Sequence, residues 1–313
     1  MNIIKYRYVY FAISLLVIVP GLLGLIFWKF PLGIDFTGGS LLEVQFASGK
    51  VPAISDVSQV YTEFSTSTMP LADPVVQPLG TDSLSIRSRE MNDATKAKIV
   101  AALKDRFGDG KDVLILNFTQ VSAAVGQEVA RAASIAVVMA AVAILIYIWI
   151  AFRKVSHPFR FGTAAIIAMF HDVFVVVGVE ALIGHFLGWQ VDSLFLTALL
   201  TVIGFSVHDT IVVFDRIREN SNIYRRVGFE TVVNHSVVQT LDRSINTQLT
   251  VMITLLALAL FGGASIRHFV IILLVGVFSG TYSSIFNASP ILVVWENKEW
   301  RNWFRRKSES IQA

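Results

Sequence analysis

The chain has no cysteine, which excludes disulfides and thiolate metal sites. It is also poor in charge: Asp, Glu, Lys and Arg make up 16% of its 313 residues, against 54% hydrophobic ones. A soluble domain of this size has no use for so much apolar side chain. Signatures of chemistry are missing as well. There is no HExxH, no GxSxG, no Walker loop and no paired-carboxylate arrangement, so neither ATP hydrolysis nor any other enzyme activity is expected, and no cofactor. The net charge of +3 is spread over the ends of apolar runs, so it implies lipid rather than nucleic acid as a partner.

Those runs dominate what is there. A hydrocarbon core of about 30 Å takes roughly 20 helical residues. Six stretches qualify: Tyr8–Trp28, Ala130–Phe152, Phe161–Ile183, Ser193–Phe214, Ser244–Phe261 and Phe269–Pro290. The first is followed by Trp28-Lys29-Phe30-Pro31 rather than a small-residue cleavage site and reads as an uncleaved anchor. Basic residues set the orientation. Lys5 and Arg7 precede the first span; Arg153, Lys154 and Arg160 lie between the second and third; Arg216, Arg218, Arg225 and Arg226 lie between the fourth and fifth; Lys298, Arg301, Arg305, Arg306 and Lys307 follow the sixth. Gly184–Asp192 and Gly262–Ser265 carry none. Both termini are therefore expected in the cytoplasm. The layout is residues 1–28 (cytoplasmic start and first span), 29–128 (external α+β domain), 129–292 (five-span bundle) and 293–313 (basic tail). The polar loop 215–242 has room for an amphipathic helix on the membrane surface.

The external segment alternates at Leu42, Val44 and Phe46, a period-two strand. Pro52–Ser65 has helical spacing, with Ser55 a candidate cap. Pro74–Leu79 and Ser83–Arg87 flank the hairpin signal Gly80-Thr81-Asp82. Asn92 caps an expected helix to about Phe107, and Val113–Val121 is a last strand, with Val113, Ile115, Asn117 and Thr119 on one face. Strand, helix, strand, strand, helix, strand is the ferredoxin-like order.

Ionisable residues inside the spans are the sharpest functional signal, because charge at membrane depth is costly. Asp209 lies six residues before Asp215, roughly 9 Å inside its span. Arg243 opens the next span and a polar stripe of Arg243, Asn246, Thr247, Thr250 and Thr254 at one-face helical spacing. One reading is a proton-loading Asp209 tuned by Arg243; the other is a permanent ion pair that fixes packing. His171 and Asp172 sit mid-span and, about 100° apart on a helix, are expected to point different ways, one to the pathway and one to a neighbouring helix. Glu180, nearer the outer end, is expected to reach the headgroups. Gly276, Gly280 and Ser284 make a small-residue face suited to close helix contact.

The run Gly33-Ile34-Asp35-Phe36-Thr37-Gly38-Gly39-Ser40 links the first span to the first strand. By chemistry alone it is a tight turn, with Asp35 free to cap nearby N–H groups. As a string it resembles the motif at this position in the SecD/SecF protein-export family. Thr201 through Asn220, with Gly204, His208-Asp209 and Asp215-Arg216, is similar to the fourth-span signature on the SecF side of that family. Gly276 through Ser284 resembles its last span, and His171-Asp172 its third. The resemblance covers the whole chain and favours a stand-alone subunit over half of a fused one.

Several expectations follow from the resemblance. The family belongs to the resistance-nodulation-division (RND) superfamily, whose repeat is six spans with a large domain after the first. It implies a multi-pass protein of a prokaryotic plasma membrane that assists late-stage export. The partners implied are a SecD-like subunit, the SecYEG channel, the unfolded polypeptide and, further out, YajC and YidC. A proton or sodium gradient would drive the work through Asp209 and Arg243, with His171 and Asp172 as further pathway candidates. A small-molecule efflux half-transporter is the rival transporter reading, although an external domain of about 100 residues is small for it. A non-transporting scaffold of the translocon is the other rival.

Overall fold

The computed structural model describes residues 1–67, 70–71, 73–153 and 158–299; Lys154, Arg301, Arg305, Arg306 and Lys307, used above for orientation, lie outside them. A short turn at Ile4–Tyr6 leads into α1 (Arg7–Trp28), and the GG-containing run forms the one-turn α2 (Ile34–Thr37). There follow β1 (Gly39–Phe46), α3 (Ile54–Glu63), β2 (Val75–Pro78), β3 (Ser83–Ser88), α4 (Asp93–Phe107) and β4 (Val113–Val121). The bundle comprises α5 (Ala123–Phe152), α6 (Pro158–Leu187), α7 (Ser193–Ile223), α8 (Phe229–Phe261) and α9 (Ala264–Ser283). A π-helical turn, Ser284–Ala288, joins α9 to α10 (Ser289–Glu296).

The sheet is antiparallel throughout, in the order β2-β3-β1-β4, which is the ferredoxin-like arrangement the element order predicts. Leu42, Val44, Phe46, Leu84 and Ile86 point to one face and bury against Val57, Val60, Ile99 and Leu103 of the two helices. Asn92 caps α4 as expected, its side chain accepting from the Thr95 N–H at 2.8 Å. Ser55 caps nothing: α3 starts at Ile54 behind Ala53, which leaves Ser55 one residue inside the first turn. The simple alternation expected in β4 also fails. A register irregularity between Glu43 and Val44 pairs them with Asn117 and Ile115, skipping Leu116. Val113 and Phe118, which strict alternation sends to opposite faces, consequently both pack on the same core.

Among the described residues six helical stretches are long and apolar enough to cross a membrane, from 25 to 33 residues each when Ile4–Trp28 and Ser265–Glu296 are each taken as continuous. They overrun the apolar windows. The expected loop 215–242 shrinks to residues 224–228, because α7 continues to Ile223 and α8 already begins at Phe229. No separate surface helix exists there among the described residues. Ion pairs one turn apart, Asp215–Arg218 at 2.6 Å and Arg216–Glu219 at 2.5 Å, carry the helix past the point where its apolar face ends. Hydropathy marks where a helix meets lipid, not where its backbone hydrogen bonding stops.

Backbone approach fixes the bundle. A Cβ on Gly21 would come within 2.6 Å of Gly178 Cα, so α1 and α6 cross in direct backbone contact. A Cβ on Gly276 would meet Val202 at 2.0 Å, which sets α9 against α7. The π turn follows from chemistry in α10: Pro290 has no N–H to donate to a carbonyl one turn back. Turns of this kind are frequent at functional sites.

Candidate functional site

Three helices converge on Asp209. Its side chain, on α7, is 4% exposed. Ser244 Oγ, from α8, donates to Oδ1 at 2.8 Å; Oδ2 is buried with no hydrogen-bond partner among the described residues. On the α9 side, Ser284 and Thr210 share a 3.0 Å hydroxyl contact directly after Asp209 in α7.

The expected partner is elsewhere. Arg243 is exposed and forms no ion pair among the described residues. One residue is about 100° of rotation on a helix, so if Ser244 faces Asp209, Arg243 turns away from it. Its whole stripe is outside: Asn246, Thr247, Thr250 and Thr254 are exposed too. Each threonine donates back to a carbonyl one turn earlier, Thr247 to Arg243 at 2.8 Å and Thr250 to Asn246 at 2.8 Å. On α7, Thr197, Thr201, Gly204 and His208 form a second exposed face at i, i+4, i+7 and i+11.

His171 and Asp172 do not diverge as helical geometry suggested. His171 Nδ1 lies 3.0 Å from Asp172 Oδ1, so the two form one unit. Ser279 donates to the same oxygen at 2.6 Å and Ser283 to Oδ2 at 2.6 Å, which pairs both carboxylate oxygens. His171 Nε2 meets Ser14 Oγ at 3.0 Å, and Asn287 donates to Ser14 at 2.8 Å. Ser283 and Ser284, adjacent where the π turn begins, therefore bond toward Asp172 and toward α7 respectively. Ser14 was not legible as part of this cluster; a lone serine in the first apolar run was its only signal.

The glycines place these groups. Gly276 and Gly280 let α9 approach α7, where a Cβ on Gly280 would stand 3.3 Å from Ser206 Cα. Gly204 is different: a Cβ there meets nothing within 4 Å. At the end of the bundle nearer the sheet, Gly38 at φ +74° and Gly39 at φ +128° adopt backbone angles that favour glycine. A Cβ on Gly38 would also strike Ala123 Cα at 2.7 Å, so α2 sits directly on the start of α5. Gly33 N–H donates to the Val191 carbonyl at 2.7 Å. Asp35 Oδ2 accepts from the Ser193 N–H at 2.9 Å and from its hydroxyl, so it serves the first turn of α7, far along the chain, rather than the N–H groups of its own turn. Asp215 is exposed and pairs with Arg218.

Glu180 does not reach the headgroups. It is fully buried, and its Oε2 meets His268 Nε2 of α9 at 2.7 Å.

Known proteins give the arrangement a context. Residues 101–298 match the family described as protein export membrane protein SecD/SecF, C-terminal, and residues 29–49 match the SecD/SecF GG motif. The chain is 54% identical over 314 residues to protein translocase subunit SecF of Anaerolinea thermophila, covering 100% of both. With the SecF subunit of Thermobaculum terrenum it shares 50% identity over 322 residues, covering 100% of this chain and 99% of the relative. The crystal structure of SecDF, a translocon-associated membrane protein from Thermus thermophilus, aligns with a TM-score of 0.81 at 31% identity, over 95% of this chain. The alignment spans only 39% of that longer protein. Sequence and fold agree that the chain belongs to the SecD/SecF family of protein-export membrane proteins.

Proposed function

We propose that this chain draws on a proton or sodium gradient to drive late stages of polypeptide export, as one half of a unit whose other half is a SecD-like subunit beside SecYEG. The observation that carries the reading is Asp209: a buried carboxylate with one oxygen bonded and the other free, in the midst of an export-family bundle. A carboxylate that only fixes packing at membrane depth has both oxygens satisfied. One that loads and unloads an ion needs a vacant position.

The two exposed polar faces on α7 and α8 support the second half of the proposal. Polar stripes in spans face other helices or a hydrated cavity. Nothing among the described residues covers them, so a second bundle supplies the cover, and Arg243 acts across that seam. His171 and Asp172, tied to the α7 region through Ser283 and Ser284, form an inner branch of the pathway. Both termini lie in the cytoplasm, and the ferredoxin-like sheet, outside, holds the emerging unfolded chain; YajC and YidC join the assembly by family likeness. The role is mechanical rather than enzymatic. Moving one charge through 100 mV releases about 2.3 kcal/mol, sufficient to bias two shapes that differ by a few kcal/mol.

The test is export in membranes carrying this chain and its SecD-like partner, with and without a gradient. Asp209→Asn should abolish gradient-stimulated export at normal protein levels. A scaffold would keep its activity in that variant, and gradient stimulation that survives it would overturn the proposal.

A further inference from the structure

A polar cavity of about 350 Å³ lies between the helix-free face of the sheet and the outer ends of the bundle helices. Glu43 and Arg87 reach it from the sheet, Asp35 from α2, Asp192 from the α6–α7 loop, and Arg267 and His268 from α9. Burial lowers the pKa of Arg87, and the carboxylates of Asp192, Glu43 and Asp35 act against that. The cavity is thus a charged vestibule suited to water.

His268 stands at its edge and reaches inward. Its Nε2 meets Oε2 of the fully buried Glu180, while Glu180 Oε1 has no hydrogen-bond partner among the described residues. The other side of the imidazole packs on Trp189, ring centroids 4.7 Å apart. Trp189 follows Gly188, whose carbonyl accepts from the Gln77 side chain of β2. A continuous chain of contacts therefore runs from the buried carboxylate through imidazole and indole to an edge strand of the external sheet.

We infer that His268 and Glu180 form an outward-facing proton-binding site, and that its occupancy sets how firmly β2 is held on the α6–α7 loop. The proton comes from water in the vestibule and is shared between imidazole and carboxylate. With the proton bound the pair carries no net charge. Without it, a neutral imidazole faces a lone buried carboxylate, and the environment must reorganise to compensate. The neighbouring groups that move are Trp189 and, through Gly188, Gln77. The charged residues that line the vestibule together with His268 are Asp35, Glu43, Arg87, Asp192 and Arg267, so their field reaches the site through it. Nothing in this assignment depends on Asp209 or on gradient-driven export; it concerns equilibrium protonation.

The test uses the full chain with its SecD-like partner in vesicles, without a gradient, Trp189 being kept as the sole tryptophan and the other five replaced by phenylalanine. A protonated imidazole in contact with an indole ring quenches its emission, and the His268 and Trp189 rings touch, tilted at 50°. Lowering external pH from about 8 to about 5, the interval in which histidine titrates, should produce a single-proton loss of Trp189 emission. His268→Gln should lose the transition. Glu180→Gln, which removes the carboxylate partner of the imidazole, should move its midpoint. Asp209→Asn should leave it in place. A flat titration in the otherwise native protein, an unmoved midpoint in Glu180→Gln, or loss of the transition in Asp209→Asn would each overturn the assignment. In the unsubstituted protein, amide exchange in β2, corrected for its intrinsic pH dependence, should change over the same interval; constant protection would refute the link to the sheet.

Discussion

Ser244 Oγ stands 2.8 Å from Asp209 Oδ1, and this bond, rather than one from Arg243, is what the buried carboxylate receives inside the chain. The two donors are adjacent in α8, so a rotation of one residue separates a hydroxyl facing the carboxylate from a guanidinium facing away. A neutral donor can serve both protonation states of Asp209, whereas a fixed ion pair would favour only one.

Ser244→Ala removes a hydrogen bond worth roughly 0.5–1.5 kcal/mol and takes from Asp209 Oδ1 its Ser244 donor. Gradient-stimulated export should fall roughly two- to tenfold, at normal protein level. The rate of translocation into inverted vesicles measures this. A variant as active as the parent would show that the bond is dispensable.

Arg243 should be coupled to Asp209 through the partner rather than by direct contact. A double-mutant cycle on export rate, with Arg243→Lys and Asp209→Glu as partial-loss changes, should give non-multiplicative losses in the presence of the SecD-like subunit. Strictly multiplicative losses would mean that the residues act separately. The absence of native cysteine allows a direct check. Thr250→Cys on the exposed face of α8 should cross-link to a cysteine scanned along the partner.

Two glycines of the family motif should behave oppositely. Gly276→Ala puts a Cβ 2.0 Å from Val202 and should cost about 1–3 kcal/mol, partly recovered in combination with Val202→Ala. Gly204→Ala enters open space and should stabilise the helix by up to about 1 kcal/mol. Thermal stability of each variant of the lone chain in detergent tests both. Reduced export by a stable Gly204→Ala protein would locate the partner against that face.

The sheet should weaken in acid. Hydrogen bonds from Gln45 and Ser83 hold Asp82 below the usual carboxylate range, and Arg106, Lys96 and Lys104 do the same for Glu63, Asp93 and Asp112. Folded values lower than unfolded ones contribute stability that is present above about pH 4 and is lost as pH falls through the folded values. Each group is exposed, so each contribution is small. Amide protection in the inner strands β1 and β3 of the intact chain should therefore be constant above about pH 5 and decline below about pH 4. Equal protection at pH 3 and pH 6 would contradict this.

What the sequence determined by itself is what short-range physics decides. The existence of six apolar helices, the Asn92 cap on α4 and the span of β4 depend on periodicity and on contacts within a few residues, and each is found, although the helices extend beyond the apolar runs. The place of Asp209 within the fourth apolar helix and the small face of Gly276 and Gly280 were legible for the same reason. Tertiary structure decided the rest. The skipped Leu116 reverses which β4 side chains reach the core, because register is set by pairing with Glu43 and Val44 and not by β4 alone. The joining of His171 to Asp172 depends on side-chain rotamers that their partners Ser14, Ser279 and Ser283 hold from other helices, and the burial of Glu180 against His268 and the outward turn of Arg243 depend on how each helix rotates about its axis. That rotation is set by where backbones touch, at Gly21 against Gly178 and Gly276 against Val202, far along the chain from the groups they orient.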